Sequence, residues 1–379
     1  MKIVYLIAGT YRPAGMERVL ANKANWLSAH GCEVTIVTTD QRGRRPAFRL
    51  SESIAQMDLG INYEKNNGRS FLNKILSYPW KHRRHKRRLR RVLKRIRPDI
   101  TVSMFCNDAS FVPKIKDGSV KVLEAHFCRF KRIQYGRKGI WALADRFMNR
   151  MDERTARRFD RFVVLTEEDR GYWNVPGVMV IPNFPTFTYD KPTGLDEQVV
   201  LAVGRYCYQK HFCSLIEAWN MIKTKVRKGW KLRIVGEGYE REKMEEIIDM
   251  FHLGSSVILG SEYHMGEVYE SASILALSSR YEGLPMAILE AQAAGVPVVS
   301  YDCKCGPKDL IEHGVNGFLA PEDEPDEMAR YLEVLMSDDE LRHRMGEEAF
   351  RSSERYNRRE IMYRWLALFE ELCQKRAKR

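Results

Sequence analysis

The sequence predicts an α/β protein built on two doubly wound parallel sheets, and three observations lead there. Short β-branched runs alternate with segments of helical spacing along most of the chain, the pattern of parallel strands with helices on both faces. The 379 residues, 44% hydrophobic and 11% aromatic, suit two domains that each bury a full core. Midway, a short polar stretch holding Pro182, Pro185, Pro192 and Gly194 reads as a linker. The expected division is a first domain over 1–190, a second over 191–357 and a closing helix over 358–379.

In the first half, residues 2–8 read as a strand, 9–15 as a loop and 16–29 as a helix, with Val19, Leu20, Ala24 and Leu27 on one face. Further buried strands are expected at 34–39, 100–104, 120–125 and 162–166. The first turn, Gly9-Thr-Tyr-Arg-Pro-Ala-Gly15, lacks the Gly-x-Gly-x-x-Gly dinucleotide fingerprint, which argues against a nicotinamide enzyme. Residues 80–98 read as a helix crowded with Lys81, Arg83, Arg84, Lys86, Arg87, Arg88, Arg90, Arg91, Lys94, Arg95 and Arg97. Leu89, Val92, Leu93 and Ile96 give it one apolar stripe to dock on the core, leaving the arginines outward.

The second half opens with Val-Val-Leu-Ala-Val-Gly204-Arg205, and Lys210 follows five residues on. Such a strand end suits a diphosphate: the glycine permits the turn, arginine forks onto two oxygens, and lysine adds a point charge. Residues 232–238, Leu-Arg-Ile-Val-Gly-Glu-Gly, form another strand and glycine turn, and 257–260 and 274–277 are further strands. The densest stretch runs Leu277-Ser-Ser-Arg-Tyr-Glu282-Gly283-Leu284-Pro285-Met286-Ala-Ile-Leu-Glu290, then reaches Gly295 and the run Val-Pro-Val-Val-Ser. It reads as strand, loop, helix and strand, with Pro285 in the helix's first turn and Gly295 ending it. Gly283 lets a ligand approach the backbone. The N–H groups of Gly283, Leu284 and Met286 can meet an acceptor-rich anion at the helix start, while Glu282 and Glu290 accept from hydroxyls. A nucleotide sugar carries both kinds of group. Later segments, an acidic helix start at 322–327 and helices near 338–350 and 358–373, complete the chain.

Charge is divided unevenly. Up to Asp190 the chain carries 37 Lys and Arg against 18 Asp and Glu, a net +19; beyond it 26 stand against 32, a net −6. A basic first half suggests an anionic surface or polymer as partner. No apolar run approaches a membrane span, and residues 1–8 turn polar too soon for a signal peptide. Eight scattered cysteines read as reduced thiols of a cytosolic protein. Cys303-x-Cys305 lacks a second pair at zinc spacing, and no Asp-x-Asp occurs, so no metal site and no cofactor are expected.

The Glu282-x7-Glu290 spacing, with Gly-Leu-Pro behind it and Ala-Gly-Val-Pro-Val-Val and Gly306-Pro-Lys-Asp309 beyond, resembles the signature of family-4 retaining glycosyltransferases. The resemblance covers nearly the whole chain, with its specific motifs mostly in 204–321. It implies a GT-B fold: two Rossmann-like domains facing across a cleft, the donor mostly on the second and the acceptor on the first, and a last helix crossing back. Gly204-Arg205 with Lys210 is similar to the family's Gly-Arg…Lys element, although Tyr206 stands where leucine is usual. Gly236 and Gly238 resemble a glycine pair passing close to the nucleotide. Gly15 would let phosphate or acceptor approach a helix start. His126, ending the strand at Leu-Glu-Ala-His, would lie by the transferred sugar and contact its C6 hydroxyl, and Thr166 would offer a hydroxyl at the cleft. Asp309 stands where the family has glutamate, and Phe184 where Ile-Pro-Asn is followed by glycine.

The implied reaction is retaining transfer of a hexose or N-acetylhexosamine from a nucleotide diphosphate sugar, UDP-linked, to a lipid-linked or polysaccharide acceptor. Arg205 and Lys210 would stabilise the leaving diphosphate in place of a metal, Glu290 would bind the ribose and Glu282 the sugar. The leaving phosphate would help take the acceptor's proton in a front-face substitution. The basic helix over 81–97 would hold the enzyme on the anionic inner face of the cytoplasmic membrane. A sugar-nucleotide epimerase of the same architecture is the nearer alternative. A nucleic-acid-binding protein is the more distant one, since it has no use for the paired glutamates, and no nucleic acid is expected.

Overall fold

The computed structural model describes residues 1–66, 71–132, 138–262 and 264–378. The chain separates into two compact units. The first holds Met1–Leu165, Arg170–Ile181 and Arg359–Arg379, and the second holds Thr166–Asp169 and Pro182–Arg358. The main division thus falls after Ile181, earlier than the one expected after Asp190.

Seven parallel strands build the first unit: β1 (Lys2–Ile7), β2 (Glu33–Thr38), β3 (Ala55–Asp58), β4 (Ile100–Ser103), β5 (Val120–Glu124), β6 (Arg161–Val164) and β7 (Val178–Val180), in the order β3-β2-β1-β4-β5-β6-β7. β1, β4 and β5 are buried almost throughout, so they read as continuous apolar runs, as strands covered on both faces do. Helix α1 (Gly15–Ala29) buries the expected Val19, Leu20, Ala24 and Leu27, and also Lys23.

Helix α2 (Phe71–Ile96) is longer than the sequence suggested. It runs through Pro79, which removes one ladder bond without ending the helix. Leu89 and Leu93 are fully buried in the core with Leu59 and Phe111, and Val92 and Ile96 pack beside them. Arg83, Lys86, Arg87, Arg90, Arg91, Lys94, Arg95 and Arg97 are exposed as expected. Two cations turn inward instead: Lys81 donates to the Asn62 carbonyl and Arg88 to that of Leu59. Both tie α2 to the segment after β3, whose carbonyls accept from these side chains rather than from a neighbouring strand. Helices α3 (Ile140–Ala156) and α4 (Glu167–Tyr172) follow β5 and β6.

The second unit repeats the plan. Its strands are β8 (Val199–Val203), β9 (Lys231–Val235), β10 (Val257–Gly260), β11 (Ile274–Leu277), β12 (Val298–Tyr301) and β13 (Gly317–Ala320), all parallel, in the order β10-β9-β8-β11-β12-β13. Helices α5 (Phe212–Met221), α6 (Thr224–Arg227), α7 (Arg241–Met250), α8 (Met265–Glu270), α9 (Met286–Ala293), α10 (Pro307–Leu310), α11 (Pro325–Ser337) and α12 (Asp339–Ser353) alternate with them or close the unit. Trp219, Tyr206 and Tyr301 lie wholly inside. Their polar ends are satisfied, Trp219 by Ser256 Oγ at 3.1 Å and Tyr301 by Ser214 Oγ at 2.7 Å, as large amphipathic side chains in a core require.

Helix α13 (Arg358–Ala377) belongs, from Arg359 on, to the first unit. It buries Ile361, Met362, Trp365, Leu368, Phe369 and Leu372, and Arg364 donates to the Val180 carbonyl at 2.6 Å. Among the described residues no helix is long and apolar enough to cross a membrane.

Candidate active site

In each sheet the strand order reverses beside its first strand, between β1 and β4 in the first unit and between β8 and β11 in the second. The loops leaving the carboxyl ends of those strands part there, which makes the natural ligand crevice of an open α/β sheet.

In the second unit, β8 delivers Gly204 and Arg205 and β11 delivers Glu282. The loop after β8 returns Lys210 to that point, where its Nζ lies 2.6 Å from Glu282 Oε1. Two residues assigned separate tasks from the sequence are therefore one ion pair, nearly buried. Two contacts fix the backbone that carries it: Glu282 N donates to the Lys304 carbonyl at 2.8 Å, and Gln209 Nε2 donates to the Tyr281 carbonyl at 2.9 Å. Arg205 is exposed at the same strand end.

The glycines here answer to backbone crowding. A Cβ on Gly236 would sit 1.8 Å from the Gly204 carbonyl oxygen, one on Gly238 2.2 Å from that of Tyr206, and one on Gly204 2.8 Å from Lys210 Cε. The loops after β8 and β9 are laced together by Gly204 N to Val235 O and Tyr206 N to Glu237 O, at 3.0 and 2.9 Å. Tyr206 points into the core and donates to the Ile234 carbonyl at 2.8 Å. The position that departs from the family pattern is thus a core position.

Helix α9 starts at Met286, with Pro285 at its N-cap (φ −70°, ψ 104°). The expected first-turn place for Pro285 is corrected: its carbonyl accepts from Ile288 and Leu289 N–H at 3.1 and 3.4 Å, which begins the helical ladder one residue before the first helical φ/ψ. No side chain caps this end. Gly283, Leu284 and Met286 line the turn, and Gly306 packs against it so closely that a Cβ there would meet Pro285 Cδ at 2.7 Å. At the other end Gly295 takes φ 76° and Val296 N reaches back to Ala291 O at 2.9 Å, the left-handed termination the sequence predicted. Glu290 is buried in α9 and accepts from the Tyr269 hydroxyl at 2.8 Å. Tyr269 was not legible as a partner, since α8 and α9 are joined only by the fold.

In the first unit Gly15 is the exposed first residue of α1, whose N-terminus likewise lacks a side-chain cap. His126 follows β5, and its Nε2 lies 3.0 Å from Glu124 Oε1, at ion-pair distance though not at a hydrogen-bond angle. Behind it Lys23 Nζ reaches the same carboxylate oxygen at 2.5 Å and stands 3.5 Å over the Trp365 ring. Burial alone would raise the Glu124 pKa, but Lys23 and His126 outweigh it and hold the carboxyl down at about 2. Burial lowers that of Lys23, against the opposing pull of Glu124. Sequence reasoning missed Lys23 and Glu124, because a lysine in a helix and a glutamate ending a strand read as solvated. Two other loop residues of this unit are shifted by burial: Asp108 up to about 6 and Lys131 down to about 7.

Thr166 is placed differently from the expectation. It is buried, its hydroxyl accepts from Asp169 N at 3.0 Å, and it therefore caps the start of α4. It groups with the second unit. There Asp309 Oδ1 accepts from Glu167 N at 2.9 Å, and burial raises the Asp309 pKa. All eight cysteines are free thiols.

Residues 186–352 match the family model described as Glycosyl transferases group 1, and residues 13–184 match that described as Glycosyltransferase Family 4. The amylovoran biosynthesis glycosyltransferase AmsD of Erwinia amylovora is 32% identical over 218 residues, 54% of this chain and 61% of the relative. A relative from Campylobacter jejuni, named GalNAc-alpha-(1->4)-GalNAc-alpha-(1->3)-diNAcBac-PP-undecaprenol alpha-1,4-N-acetyl-D-galactosaminyltransferase, is 26% identical over 385 residues, 98% of this chain and 99% of its own. Among solved structures, a variant of TarM from S. aureus with fondaparinux, alpha-GlcNAc-glycerol and UDP superposes with TM-score 0.76 at 18% identity, over 97% of this chain and 99% of that one. Both halves match adjoining family models and both sheets have the GT-B arrangement, so the chain belongs to the family-4, group 1 glycosyltransferases.

Proposed function

We propose that this glycosyltransferase moves a hexose or N-acetylhexosamine from a UDP-sugar to a lipid-linked or polysaccharide acceptor, with retention at the anomeric carbon. The observation that carries the reading is the Lys210–Glu282 pair at the switch point of the second sheet, with Arg205 exposed at the same strand end, the uncapped start of α9 and the buried Glu290. Breaking the sugar–phosphate bond puts charge on the diphosphate. Arg205, Lys210 and the N–H groups of Gly283, Leu284 and Met286 supply fixed positive charge and dipoles for it, so the reaction proceeds without a metal ion. Glu282 takes the sugar hydroxyls, and Glu290, oriented by Tyr269, takes the ribose. On the first unit, His126 serves the transferred sugar and Gly15 the acceptor side. The leaving phosphate takes the acceptor's proton. The Campylobacter relative's name includes PP-undecaprenol, and together with the basic α2 this supports a lipid-linked acceptor at the inner face of the cytoplasmic membrane.

The test is a panel of nucleotide sugars against lipid-diphosphate sugars, read by product mass with chelator present. One donor should give a product heavier by one sugar, with the anomeric configuration of the donor. An altered nucleotide sugar formed without acceptor would replace this reading with epimerisation, and loss of activity on chelation, restored by Mn²⁺ or Mg²⁺, would overturn the metal-free step. Glu290→Gln keeps an acceptor for Tyr269 but removes the charge. It should weaken UDP binding by calorimetry about 10- to 100-fold, since a hydrogen bond to a charged group is worth roughly 1.5–3 kcal/mol. Unchanged UDP affinity would remove Glu290 from the ribose site.

A further inference from the structure

Helix α3 is built inside out. Its inward face carries Asp145, Asn149, Asp152 and Glu153. Asp152 is forked by Arg132 at 3.0 and 3.2 Å, Glu153 pairs with Arg129 at 2.9 Å, and Arg129 also donates to the Asn149 carbonyl at 2.7 Å. Its outward face carries the apolar residues: Trp141, Leu143, Phe147, Met148 and Met151 are 61, 64, 59, 40 and 39% exposed. A helix docked on a water-soluble core normally turns its apolar stripe inward, and a contiguous exposed apolar patch of this size marks an interaction surface.

Charge identifies the partner. Every carboxylate of α3 is on the inward face, while Arg146, Arg150 and Arg154 are exposed at four-residue spacing beside and between the apolar residues. An exposed apolar face whose only exposed charges are cations matches the boundary between acyl chains and anionic headgroups, where the arginine stems lie along apolar surface and their heads reach phosphate. We propose that the outward face of α3 inserts into an anionic lipid monolayer. This deepens the surface attachment proposed above but rests on separate residues: α2 attracts at a distance and is screened by salt, whereas α3 holds by burying apolar groups and is not.

The test is co-sedimentation of the full chain with vesicles of phosphatidylglycerol and phosphatidylethanolamine, at low salt and at high salt. Wild type should remain bound in part at high salt. The triple variant Leu143→Gln, Phe147→Gln, Met151→Gln should lose that salt-resistant fraction, with partitioning down about 10-fold or more and an unchanged circular dichroism spectrum. The α2 variant Arg83→Gln, Arg87→Gln, Arg91→Gln should instead lose binding mainly at low salt. Trp141 fluorescence, taken as the difference from Trp141→Phe, should be quenched by nitroxide-labelled acyl chains. Equal partitioning of wild type and the α3 variant, or no quenching, would overturn the insertion. So would a wild-type dimer in sedimentation velocity that the α3 variant dissociates, because the face would then be a contact between copies. A failed donor panel with α3 insertion intact would count against the proposed reaction alone.

Discussion

Arg205→Ala and Lys210→Ala are each expected to lower the turnover number about 100-fold or more, the usual loss when one preorganised charge-stabilising donor is removed. At about 1.36 kcal/mol per tenfold, that is roughly 2.7 kcal/mol of transition-state stabilisation. The two variants should differ in everything else. Arg205 is exposed at the end of β8, so its removal should leave the melting transition unmoved and give a clean kinetic readout. Lys210 is paired with the nearly buried Glu282, so its removal strands a carboxylate and should also destabilise the second unit. Lys210→Arg separates the two effects: it keeps a cation for Glu282 but not the reach and shape of the ammonium, so it should restore stability more than turnover. Near-normal turnover in both alanine variants would rule out the diphosphate role.

The expectation that Lys210 and Glu282 have separate tasks shows where sequence reading stops. Each residue was legible from its own strand end, because Gly-Arg…Lys and Glu-x7-Glu are local patterns. Their meeting depends on β8 lying beside β11, which is a property of sheet order. The buried strands were legible for the same local reason, as apolar runs covered on both faces. β3, at the sheet edge and largely exposed, has no such run and was not foreseen. Thr166 was expected to offer a cleft hydroxyl from the family resemblance at its strand end; the residues after it form α4, and the hydroxyl accepts from Asp169 N at the start of that helix. In α3 the carboxylates are inward and the large apolar residues outward, so a helical period alone would assign its faces the wrong way round.

The largest stability effect is expected at the buried pair behind His126. Lys23 and Glu124 are both essentially inaccessible, 2.5 Å apart, in α1 and β5, with Trp365 of α13 beneath the ammonium. Removing one partner of such a pair leaves the other charged, desolvated and unmatched, which costs about 3–5 kcal/mol, whereas replacing both by apolar groups of similar size is often close to neutral. Glu124→Gln should therefore destabilise the first unit by roughly that amount. Lys23→Met should cost less, since His126 remains near the carboxylate at 3.0 Å, and the double variant should recover most of the loss. Hydrogen exchange of β1 and β5 amides keeps the second unit out of the measurement, and strictly additive losses in the three variants would show that the pair is not coupled. The pH dependence has a definite sign. The folded-state pKa of Glu124 is depressed from 4.5 to about 2, so its contribution is complete above about pH 4.5 and is lost as pH falls toward 2. Wild type should lose first-unit stability steeply across that window, and Glu124→Gln, with nothing to protonate there, should show a shallower slope. An identical slope in the two proteins would mean that Glu124 is not held ionised by Lys23.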